Sequence, residues 1–188
     1  FHDRWYRRSN MVIAVVGPVD HNEIVARVDT ALAVVGKGER PVRAAPPPEI
    51  VPEVVTSRSI EQMHLAQGWR TGGRHSPDRY ALAVATQVLG GGWSSRLFQE
   101  VREKRGLSYS VFASVGSFAD CGTMSVYAAT APERLDELRT VIDAQLHDLA
   151  TNGPGQRELD VARGGFEGAT VLGLEDTGSR MARLATNV

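Results

Sequence analysis

Cysteine and lysine are scarce in this chain, and the shortage of cysteine closes a class of function. Cys121 is the single cysteine, so neither an intrachain disulfide nor a thiolate zinc cluster can form. It is compatible with a reducing, cytoplasmic compartment. Two lysines stand against nineteen arginines, a bias that hints at a GC-rich bacterial genome. The net charge of −1 leaves no basic surplus to neutralise phosphates, which argues against nucleic-acid binding. No apolar run approaches the roughly 20 residues of a membrane span, so no membrane partner is expected. None of the five histidines (His2, His21, His64, His75 and His147) lies four residues from another. Both H-E-x-x-H and H-x-x-E-H are therefore absent, and no metal site is expected within the chain. The sequence has no initiating Met and no signal-peptide core, enters just before a strand-like run and stops after a helical pattern. It reads as a piece of a longer protein.

What is present is ordered punctuation. Met11–Gly17 (MVIAVVG) is a continuous β-branched apolar run and predicts a strand buried on both faces. Asp20, with Glu23 three residues on, predicts a capped helix ended by Gly36 and Gly38. Five of the nine prolines fall between Glu39 and Glu53, which makes residues 39–53 a semi-rigid linker. Beyond it, Ser59–Trp69 alternates as a strand. Ser76-Pro77 starts a helix reaching about Leu89, apolar nearly all round and so expected to be deeply buried. Tyr109–Val115 and Thr123–Ala129 alternate around Asp120-Cys121-Gly122 as a hairpin. Thr130 and Glu133 open a further helix, stopped at Asn152-Gly153-Pro154. From Gln156 the pattern is helical but interrupted by glycines. Hairpin-joined strands with helices in blocks predict an α+β fold, an antiparallel sheet with helices packed on one face.

The densest stretch is Leu89–Tyr109, LGGGWSSRLFQEVREKRGLSY. Gly90, Gly91 and Gly92 allow close approach of backbone or of a peptide. Ser94 or Ser95 can cap a short helix carrying Leu97, Phe98 and Val101, and Gly106 can stop it. Neither a G-x-S-x-G elbow nor a phosphate-cradling glycine pattern is present. Arg102 ends the helix and Tyr109 opens the next strand, so both can point into one space. From the residues alone, packing is the better explanation. Arg102 can lie over the Phe98/Val101 stripe, and Tyr109 shares a strand face with Val111, Ala113 and Val115.

LGGGWSSRLFQEVREKRGLSYSVFASVG, followed by DCGTMSVYAATAPE, resembles the second-domain signature of the pitrilysin/insulinase family of zinc metallopeptidases. The likeness is to the bacterial processing-protease branch, similar to mitochondrial processing peptidase. FHDRWYRRSNMVIAVVGPVDHNEIV resembles the strand and helix that close that family's first domain. The resemblance implies paired α+β domains, with two halves closing around a peptide. It also implies that residues 1–38 end a zinc-type domain and that 54–188 form most of a second domain lacking its final strand.

In that family, zinc is held by H-x-x-E-H and a downstream Glu. This chain lacks those elements, so it is expected to bind no zinc and cleave nothing alone. Arg102 and Tyr109 match the Arg and Tyr that the opposite half brings to the zinc site. Gly90, Gly91 and Gly92 match a substrate-contacting segment. The implied partners are a peptide or unfolded protein and a second half, as homodimer or heterodimer. Two other functions remain open: a non-catalytic scaffold or partner subunit, and a stand-alone peptide-binding module using a sheet edge.

Overall fold

Three strands anchor the structure: β1 (Met63–Thr71), β2 (Val111–Ser117) and β3 (Gly122–Thr130), antiparallel in the order β1-β3-β2. The computed structural model describes residues 1–187. Val111 pairs with Ala128 and Ser117 with Gly122, so β2 and β3 form a hairpin around Asp120-Cys121. Gly122 is required there, since a Cβ would stand 2.4 Å from the Gly72 carbonyl oxygen. Period two sorts the side chains. Ala113, Val126 and Ala128 are buried on one face with half-buried Leu65, while Phe112, Ser114, Ser125, Tyr127 and His64 lie on the other.

Helices α3 (Arg79–Gly90) and α4 (Leu135–Asn152) supply Leu89, Leu138 and Ile142 to the first face, and Leu97, Val101 and Leu107 complete that core. The architecture is α+β with helices covering one face of the sheet. The core lies within the unit Ala45–Gly165.

A second unit comprises Phe1–Ala44 and the residues from Phe166 onward. It contains α1 (His2–Trp5), α2 (His21–Ala31) and α6 (Thr177–Thr186). Asp20 caps α2 by accepting from the Glu23 amide at 2.9 Å, and Asp176 caps α6 by accepting from the Ser179 amide at 2.6 Å. Helix α5 (Gln156–Glu175) runs unbroken through its glycines into this unit. Those glycines cost helix propensity, but twenty residues of continuous ladder absorb it.

Four local expectations are corrected. Met11–Gly17 forms no strand: no described strand pairs with it, and Val12, Ile13 and Val15 are exposed. A strand exists only through its hydrogen-bonded neighbour, which composition does not supply. Helix α3 is buried only over its last turn, at Thr86, Val88, Leu89 and Gly90, while Tyr80 faces solvent. Thr130 caps nothing; its hydroxyl donates to the Leu107 carbonyl at 2.6 Å, and Pro132–Arg134 forms a 3₁₀ turn before α4. Finally, β2 begins at Val111, so Tyr109 lies outside the strand.

Candidate functional site

The stretch after α3 folds as a tight, irregular turn. Ser95 does not cap through its side chain. Its hydroxyl donates back to the Gly92 carbonyl at 2.6 Å, closing the glycine run on itself. A helical turn begins at Arg96 and widens into a π-helix over Phe98–Glu103. Such π-turns are uncommon and concentrate at functional sites. Leu97 and Val101 point into the core with no exposure, which fixes the inner side of the turn. Gly106 ends it at φ +53°, a left-handed conformation that glycine takes without penalty. Arg134 locks this stop by donating to the carbonyls of Gly106 at 2.9 Å and Arg105 at 3.1 Å.

The next residues are fastened to the sheet. Ser108 is buried; its hydroxyl donates to the Ser110 carbonyl at 2.8 Å and accepts from the Ala129 amide at 3.3 Å. The same amide donates to the Ser110 carbonyl at 3.2 Å. Tyr109 stands between these two pinned residues with its side chain directed outward, 80% exposed. The strand-face packing that period two predicts for it does not occur, because Ser108–Ser110 makes a bend ahead of β2.

Arg102 meets Tyr109 directly. Its guanidinium carbon lies 4.1 Å from the Tyr109 ring centroid and 4.8 Å from that of Phe98. Both distances are within cation–π range. One guanidinium nitrogen donates to the Tyr109 carbonyl at 3.3 Å, and another lies 3.7 Å from Glu103. The cation is thus held between two aromatic rings without a close bidentate carboxylate, leaving donors free to reach an anionic or carbonyl oxygen.

The three glycines occupy different settings. Gly90 is buried, and a Cβ there would stand 2.4 Å from the Ala113 amide nitrogen. It lets α3 touch β2. Gly91 and Gly92 are exposed, and a Cβ on Gly92 would meet nothing within 4 Å. Trp93 follows them at 83% exposure, its carbonyl accepting from the Gln99 side chain at 2.7 Å.

Among the described residues, no group of three or more His, Cys, Asp or Glu side chains converges to hold a metal ion. The donor set present therefore does not fit zinc. Half-buried Cys121 is no activated thiol; desolvation and the neighbouring Asp120 push its pKa up. No described helix is long and apolar enough to cross a membrane.

Residues 1–166 match the model of the family described as "Peptidase M16 inactive domain". The chain belongs to the peptidase M16 inactive-domain family. Relatives agree. An uncharacterized zinc protease of Mycobacterium tuberculosis is 44% identical over 192 residues, covering 98% of this chain and 43% of the relative. Another, from Streptomyces coelicolor, is 39% identical over 197 residues, covering 98% of this chain and 42% of that protein. The chain thus spans less than half the length of these relatives. Among solved structures, a peptidase M16 inactive domain from Pseudomonas fluorescens superposes with a TM-score of 0.79 at 26% identity, over 98% of this chain and 44% of that one. A Helicobacter pylori protease gives a TM-score of 0.82 at 21% identity, over 98% of this chain and 46% of that one, and supports the fold alone. The M16 match takes in the glycine run, Arg102 and Tyr109.

Periodicity does not reveal the groups that fasten this stretch to the rest of the unit. Ser108, Thr130 and Arg134 act through partners far along the chain or through backbone atoms, and neither kind of contact leaves a periodic signal.

Proposed function

We propose that this M16 domain is the non-zinc portion of a peptide-hydrolysing metallopeptidase. In this reading it supplies a substrate-binding wall and the Arg102/Tyr109 pair to a zinc site held elsewhere in the protein or by a partner half. The observation that carries the reading is a half-buried arginine stacked on an exposed tyrosine, on backbone pinned at both ends. A partly exposed cation held against two rings, with a donor not engaged by a carboxylate, suits stabilisation of charge developing on a scissile carbonyl. Tyr109, exposed beside that cation, adds a phenol that a substrate can reach. Gly91 and Gly92 offer backbone that an extended peptide can approach closely.

The chain's own residues bind and orient in this scheme. Water activation would belong to a zinc-bearing part outside these residues; the zinc-protease relatives, less than half of whose length the chain spans, support this reading. A non-catalytic partner subunit is the second reading, favoured by the family's description as an inactive domain. Metal analysis and a peptide-cleavage assay on this chain and on the intact protein separate the possibilities. The proposal expects cleavage by the intact protein, and neither stoichiometric zinc nor cleavage by the chain alone. Zinc with activity in the isolated chain would sink it, and an intact protein that cleaves nothing in any pairing would leave the partner-subunit reading.

A further inference from the structure

Away from the stacked pair, Arg96 is bonded through every nitrogen of its guanidinium. Its side chain is 13% exposed. Nε and one terminal nitrogen donate to the two carboxylate oxygens of Glu158 at 2.7 and 2.8 Å. The other terminal nitrogen donates to Asp148 at 2.6 Å, and a further bond reaches the Gly153 carbonyl at 3.0 Å. The Glu158 carboxylate also accepts from the Gly155 amide at 2.7 Å, capping α5, and Asp148 accepts from Asn152 at 2.7 Å. One residue therefore gathers the end of α4, the turn at Gly153 and the start of α5.

Arg96 is also the first residue of the turn that carries Arg102. Just before it, Gly92, Ser94 and Ser95 line a cavity of about 130 Å³, with Glu158, Val161 and Ala162 lining it as well. The glycine run thus borders a void beside α5, and the ion cluster supplies the bridge. Leu97 and Val101 fix how deep the turn sits. They also set its buried side, and the bidentate, planar Arg96 contact adds a tie from its first residue to α5.

We propose that Arg96 is a positioning residue: by clamping the start of the π-turn to α4 and α5, it sets where Arg102 and Tyr109 stand. This rests on the reading of that pair given above. Displacement of a reacting group by about 1 Å can cost on the order of 100-fold in rate. In the intact protein, Arg96→Ala should therefore lower kcat/KM about 100-fold, mostly in kcat. Arg96→Lys keeps the charge but loses the planar fork, and should recover part of the loss. Hydrogen exchange should quicken at the amides of residues 101–109 while β3 keeps its protection. Glu158→Gln, a milder change at the same clamp, should show the same pattern if Arg96→Ala does not fold.

Unchanged exchange at 101–109 would overturn the proposal. So would kcat/KM within about twofold of the parent protein, well below the loss that misplacement brings, in a background where Arg102→Ala is impaired. If Arg102→Ala is itself unimpaired, the reading of the pair fails, and the exchange measurement alone then decides whether Arg96 positions the turn.

Discussion

The guanidinium of Arg102 stacks on the ring of Tyr109 at 4.1 Å, while the ring remains 80% exposed. A buried tyrosine in that contact would be core. An exposed one, on backbone fastened through Ser108 and Arg134, is accessible from outside the domain. The contact also separates the two side chains' roles. Arg102 is held in place by two rings, and Tyr109 by its neighbours' hydrogen bonds to β3.

Gly90 and Gly92 should respond oppositely to the same substitution. Gly90→Ala puts a methyl 2.4 Å from the Ala113 nitrogen, where α3 meets β2, and should cost about 1–3 kcal/mol or more as overpacking. Gly92→Ala meets nothing within 4 Å and should leave stability within about 1 kcal/mol of the parent. Chemical denaturation of the two variants checks this. Equal losses would mean that the run's glycines serve one common backbone purpose.

Gly106 should tolerate asparagine better than alanine. Its φ of +53° costs an ordinary residue about 1–2 kcal/mol, and asparagine less. Gly106→Ala should therefore lower the unfolding midpoint, with Gly106→Asn between it and the parent. Identical midpoints for all three would show that the turn does not hold this conformation in solution.

Acid should loosen the Arg96 clamp. Hydrogen bonding from Arg96, with help from the Gly155 amide, holds the Glu158 carboxyl below its usual range, and Lys104 and Arg105 do the same for Glu100. A group whose folded pKa is depressed contributes stability that is complete above its unfolded pKa. That contribution is lost as pH falls through the folded value. Unfolding free energy should therefore fall on acidification below the ordinary carboxylate range, and Glu158→Gln should flatten part of that slope. A variant with the parent's full acid sensitivity would assign the effect to other carboxylates.

The hairpin, the fold class and the helix stops at Gly106 and Gly153 were legible because each is written locally, in period-two alternation or in a glycine that must take positive φ. The run at Met11–Gly17 misled because hydrophobicity states a need for burial without naming the partner. Tyr109 misled for a different reason. Alternation cannot register a bend, and the bend here is made by Ser108 and Ser110 bonding to β3. For Arg96, nothing local marks partners that lie 52 and 62 residues away. The pairing of Arg102 with Tyr109 was suggested by family resemblance and by proximity along the chain. Its stacked form needed the π-turn, which no capping rule anticipates.

Arg102 is proposed to act on a substrate and not merely to pack. The most direct test is kcat/KM for peptide cleavage by the intact protein carrying Arg102→Ala, set beside the unfolding midpoint of the same variant. The variant should lose about 100- to 1000-fold, the range for removing one preorganised donor to a developing charge, with the midpoint barely moved. Parent-like kinetics, or a loss that tracks the fall in stability, would contradict the proposal and return Arg102 to a packing role over Phe98.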